Sequence, residues 1–121
     1  MIVDTCKDKE FIMLSNFLLC FDFPHKDIVI EQIMHSVVCK DSSEYHIAFQ
    51  FFVDTKQTCL PKECNGILIM IQVKTDFSLS CCELYVSNQY VSEYRMYNID
   101  TSKIDLSCLE HGTIIVETKQ L

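Results

Sequence analysis

Tyr45-His46-Ile47-Ala48-Phe49-Gln50-Phe51-Phe52-Val53 alternates apolar and mixed positions over nine residues. Successive side chains of a strand point to opposite faces, so period two marks a half-buried strand. One face is predicted to carry Tyr45, Ile47, Phe49, Phe51 and Val53, the other His46, Ala48, Gln50 and Phe52. Asp41-Ser42-Ser43-Glu44 precedes it as a polar turn. This turn would pair the strand with the end of residues 28–39, whose β-branched content reads as a strand. Phe17 to Phe23 reads as a further strand. The competing reading places an amphipathic helix near residues 24–39, because Ile30, Ile33, Met34, Val37 and Val38 fit helical spacing and Pro24 suits a first turn.

Downstream, Gly66 opens a run in which Ile67, Ile69, Ile71 and Val73 share one face and Leu68 and Met70 the other. A β-branched run apolar on both sides reads as a central strand. The loop of residues 56–65, with Pro61 and Asn65-Gly66, reads as a long hairpin connection. Cys82, Leu84 and Val86 alternate in another strand. Ser87-Asn88-Gln89 can turn the chain into a strand over residues 90–99. Asp100-Thr101-Ser102 offers a cap, residues 102–111 hold one helical turn before Gly112, and residues 113–119 close the series as a strand.

Six or seven closely spaced strands with little helix define the expected class: all-β, an antiparallel sandwich with one short helical turn. An α+β arrangement with the helix near residues 24–39, or an OB-like barrel, is the alternative. Residues 1–121 are read as a single globular domain, long enough to bury its own core.

The formal net charge is −7, and the only arginine, Arg95, stands among nine scattered lysines. Phosphate recognition calls for a basic patch, so direct nucleic-acid binding is not expected, and neither is binding to an anionic membrane surface. No apolar stretch is long enough to span a bilayer. No secretory leader and no Asn-x-Ser/Thr acceptor are read in the chain. An intracellular location, cytoplasm or nucleus, with reduced thiols is therefore expected. Scarcity of Ala, Arg, Gly and Pro, whose codons are G/C-rich, suggests an A/T-biased genome such as those of many large DNA viruses.

Eight cysteines raise the question of chemistry. Cys59 and Cys64, with Cys81 and Cys82 and with His46 as a further ligand, are the zinc candidates, although the second close C-x-x-C pair of a usual zinc site is missing. Disulfides are not expected in a reducing compartment. Cys39 with His35 and Cys108 with His111 are the thiol–imidazole pairs that would share a helix face. Neither has a third orienting group in the sequence, no Gly-rich phosphate loop occurs, and no cofactor is expected. Tyr85, Tyr90, Tyr94, Arg95 and Tyr97 form the candidate contact surface, since tyrosine combines apolar area with a polar tip. The expectation is a non-enzymatic protein–protein interaction module. It would be a structural or accessory subunit of a larger, viral-type assembly, meeting protein partners or its own copies. The alternatives are an OB-like subunit of a nucleic-acid-associated complex and a small zinc or thiol protein.

Overall fold

The computed structural model describes residues 1–118. Two helices, α1 (Lys9–Leu19) and α2 (Lys26–Met34), precede six strands: β1 (Ser36–Ser42), β2 (His46–Val53), β3 (Gly66–Lys74), β4 (Leu79–Ser87), β5 (Tyr90–Asn98) and β6 (Thr113–Thr118). A short helix α3 (Cys108–His111) lies between β5 and β6. All strands pair antiparallel in one sheet of order β1-β2-β5-β4-β3-β6, so the mainly β, antiparallel architecture with a short helical turn holds.

The layer against this sheet is helical, and the first forty residues are where local expectation fails. The strand expected over Phe17–Phe23 is instead the end of α1 and the loop after it. Phe11, Leu14 and Leu18 recur at helical spacing and are all buried, and Asp8 caps the helix by accepting the Phe11 N–H at 2.9 Å. Residues 28–39 divide between helix to Met34 and strand from Ser36, realising the helix alternative and correcting the strand reading. β-Branched composition favoured a strand; burial of Val29 and Gln32 against the sheet overrides that weak propensity.

Phe11 is the contact between layers. Its ring lies edge-on to Phe49 at 5.2 Å and to Phe51 at 6.3 Å, and stacks on Tyr94 at 5.8 Å. Register then assigns one whole sheet face to the core. Ile47 pairs with Met96, Phe49 with Tyr94, Tyr94 with Leu84, Met96 with Cys82, and Cys82 with Ile71, and all are buried. Period two holds in β2, except that Tyr45 is exposed and Val53 is half-buried. In β3 a register shift between Ile67 and Ile69 moves Ile67 off the core face, leaving Ile69, Ile71 and Val73 on it.

The connection from β2 to β3 is not a hairpin, contrary to expectation: β5 and β4 stand between the two strands. Its length lets it cross the end of the sheet, where the β4–β5 turn holds it. Leu60 N–H donates to the Gln89 carbonyl at 2.8 Å, Gln89 Nε2 donates to the Leu60 carbonyl at 2.7 Å, and the Tyr90 hydroxyl donates to the Thr55 carbonyl at 3.0 Å. Asn88 and Gln89 take positive φ of 52° and 69°, as a two-residue hairpin turn requires. The connection after β5 returns through α3 to β6. Gly112 fits the last corner because a Cβ there would lie 2.2 Å from Val73 Cγ1. Lys119, included in the last expected strand, lies outside the described residues.

Candidate functional site

The sheet face opposite the helices carries Glu93, Arg95 and Tyr97 of β5. Arg95 pairs in register with Glu83 and Ala48, Tyr97 with Cys81 and His46, and Glu93 with Tyr85 and Gln50. Of the five candidate contact residues, the structure brings Tyr85, Arg95 and Tyr97 together here. The other two are placed elsewhere. Tyr94, one residue out of phase with Arg95, is fully buried on the helix face, where its hydroxyl meets Ser15 Oγ at 3.0 Å. Tyr90 sits at the start of β5 and spends its hydroxyl on the loop before β3.

At the centre of this face lies Glu83, only 2% exposed although no helix packs over it among the described residues. Its cover comes from its own sheet. The Tyr85 hydroxyl donates to Glu83 Oε1 at 3.4 Å, Tyr97 stands beside the carboxyl and favours its charged form, and the Arg95 guanidinium lies 4.2 Å above the Tyr85 ring while pairing with Glu93. Burial pushes the Glu83 carboxyl above its usual range. The two tyrosines and Arg95 pull it back only in part, and Glu93 adds to the rise. The same burial and carboxylate push Tyr97 up to about 12. The cluster is thus an aromatic and cationic roof over a destabilised carboxylate.

Beside it, Ala48 leaves a shallow depression of about 230 Å³ bordered by Asp41, His46, Gln50, Glu93, Arg95 and Tyr97. His46 Nε2 stands 3.6 Å from Asp41 Oδ2, and its Nδ1 lies 2.9 Å from Ser43 Oγ. At the far side of the same face, Val37 and Phe52 are directly opposed across β1 and β2, at 50% and 58% exposure.

The zinc candidates are not gathered. Cys81 and Cys82 are neighbours in one strand and project to opposite faces of the sheet. Cys64 is buried in the core cluster, while Cys59 is exposed. Among the described residues no group of three or more His, Cys, Asp or Glu side chains is arranged to hold a metal ion.

Of the two thiol–imidazole pairs, Cys108 and His111 do fall on one helix, α3, whereas His35 and Cys39 do not. His35 ends α2 and pairs with Glu31 at 3.1 Å, whereas Cys39 belongs to β1. Cys108 is buried and donates to Ser80 Oγ at 3.7 Å, and burial raises its thiol, opposing the thiolate a nucleophile needs. His111 instead lies 3.7 Å from Glu110.

Two polar residues escaped sequence reasoning. Gln32, fully buried on α2, accepts the Val91 N–H at 2.8 Å and donates to the Thr58 carbonyl at 2.7 Å. It was hidden in an apolar helical pattern. Glu83 did leave a trace, as a lone acid between Cys82 and Leu84, but its meaning required the register of β5.

No family model, no curated protein and no solved structure matches this chain. Fold and site together define a two-layer architecture: one antiparallel sheet, helices on one face and a tyrosine–arginine cluster on the other. No helix of the described residues is long and apolar enough to cross a membrane.

Proposed function

We propose that the chain is a non-enzymatic protein-interaction module. It acts inside the cell as a subunit of a larger, viral-type assembly and docks a partner protein on the sheet face opposite α1 and α2. The observation that carries this reading is the collection on one face of Tyr85, Arg95 and Tyr97 with exposed Phe52 and Val37. Aromatic and arginine side chains are the groups that dominate binding energy at protein interfaces, and here their hydrogen bonds and stacking hold them in place before a partner arrives. Arg95 is engaged by Glu93 and Tyr85, and the chain is acidic, so the face suits a protein surface better than a phosphate backbone.

The test is isolation of the tagged full chain from its native source, beside the double variant Phe52→Glu/Arg95→Glu and the helix-face control Lys26→Glu. A defined chain should co-purify with wild type and control, be lost from the double variant, and rebind when both components are purified. Identical retention by all three proteins, or no stoichiometric partner, refutes the proposal.

A further inference from the structure

The two edges of the sheet are treated differently. The outer side of β1 is occupied by residues 1–3. Val3 N–H donates to the Val38 carbonyl at 2.9 Å, Lys40 N–H donates to the Met1 carbonyl at 2.8 Å, and Ile2 bridges to Cys39. β6 pairs with β3 on one side and, among the described residues, with nothing on the other.

A free edge is a row of backbone donors and acceptors ready for another strand, and folds usually blunt it with lysine, proline or a bulge. In β6 the run Thr113-Ile114-Ile115-Val116 bears no charge and no proline. Ile114, Ile115 and Val116 are each 44% exposed. Ile114 and Val116 continue the row of buried Val73 and Ile71 on the core face, whereas Ile115 lies beside Gln72 on the other. Phe77, 91% exposed, stands at the same corner across a shallow groove from Thr113. The apolar surface is therefore concentrated where the backbone is open.

We infer that β6 pairs antiparallel with β6 of a second copy about a twofold axis at Ile115, joining two sheets edge to edge. This register sets Ile115 against its own copy, Ile114 against Val116, and Thr113 against position 117. No like charges are opposed in residues 113–116, so two chains of net charge −7 can meet here. The self-pairing is isologous and stops at two, because the covered β1 edge offers no complementary site for a head-to-tail filament. This edge is separate from the tyrosine face, and the pairing does not rest on the docking role proposed for that face.

The experiment is sedimentation velocity of the full chain in reducing buffer across a micromolar concentration series. Wild type should be a dimer at the upper concentrations. Ile115→Lys, which places two ammonium groups at the axis, should weaken it at least ~10-fold, a shift of one decade in Kd. Phe52→Lys, in β2 near the other edge of the sheet, should leave it intact. In parallel, Ile115→Cys should give, on mild oxidation, a homodimer whose cross-link maps to position 115 of both copies. A wild-type monomer at every concentration overturns the inference, as does a monomer that pairs only with an extended segment of another protein. A dimer indifferent to Ile115→Lys overturns it too. Should that variant fail to fold, a dimer lacking the 115–115 cross-link does so in its place.

Discussion

Gln32→Met removes a side-chain amide while nearly preserving its length and volume. Three hydrogen bonds disappear: the buried one from Val91 N–H, the one to the Thr58 carbonyl, and one to the Gln89 carbonyl that at 3.4 Å is too long to add to the sum. A buried donor left without a partner costs about 1–3 kcal/mol, and the second, less buried bond about 0.5–1.5 kcal/mol. Burying a thioether in place of an amide returns about 1 kcal/mol. The net loss is about 2 kcal/mol. For 121 residues the unfolding entropy near the midpoint is about 0.25 kcal/mol/K, so Tm should fall by about 8 °C. Urea denaturation followed by circular dichroism gives the free energy directly, and the slope should be unchanged, since the exposed area does not alter. Hydrogen exchange adds a local reading: Val91 N–H should exchange much faster relative to its neighbours in β5. A variant within about 0.5 kcal/mol of wild type, the usual range of a neutral surface change, would falsify the claim that this amide ties α2 to the β4–β5 turn.

Three further outcomes follow from the same structure. Glu83→Gln keeps an acceptor for the tyrosine hydroxyls and removes a carboxylate whose pKa is raised in the fold. A raised carboxyl titrates against stability as pH climbs from its unfolded value through its folded one. Thermal melts should therefore show the variant more stable than wild type at pH 7, with the gap closing as pH drops below the ordinary glutamate range; a gap independent of pH sinks the assignment. Asp8→Ala loses the α1 cap and the 3.1 Å contact to Lys40, costing about 1 kcal/mol. Burial raises the Asp8 carboxyl, but the Phe11 N–H and Lys40 outweigh it and leave it lowered. Its contribution is present above the unfolded carboxylate pKa and is lost as pH falls through the folded one, so wild type and variant should converge in acid. Brief iodoacetamide treatment followed by mass spectrometry should label exposed Cys6, Cys20 and Cys59 ahead of buried Cys64, Cys81, Cys82 and Cys108; early labelling of Cys82, whose thiol burial raises, would contradict the packing.

The sequence by itself determined most of what depends on neighbours along the chain. Alternation through Ile47, Phe49 and Phe51 marks β2 and its core face, because strand period is a local property. The turns expected at residues 41–44 and 87–89 form at 43–45 and 88–89, within a residue or two, and these and the helical stop at Gly112 are signalled by local residue type. Residues 9–34 were less legible. Short apolar stretches rich in Ile, Val and Phe satisfy strand and helix periodicity alike, and the sheet surface that α1 and α2 cover decides between them. The site followed the same division. Tyr85, Arg95 and Tyr97 were legible as a group by composition, while Tyr94 and Tyr90 belonged to the same stretch, and only strand parity buried the first and only the loop before β3 engaged the second. Tertiary structure alone decided that β5 inserts between β2 and β4, and from that register came the buried Glu83 under its tyrosines, the stitching role of Gln32, and the open edge at β6. Each of these depends on residues tens of positions apart meeting in space, and chain order carries no local signal of such pairings.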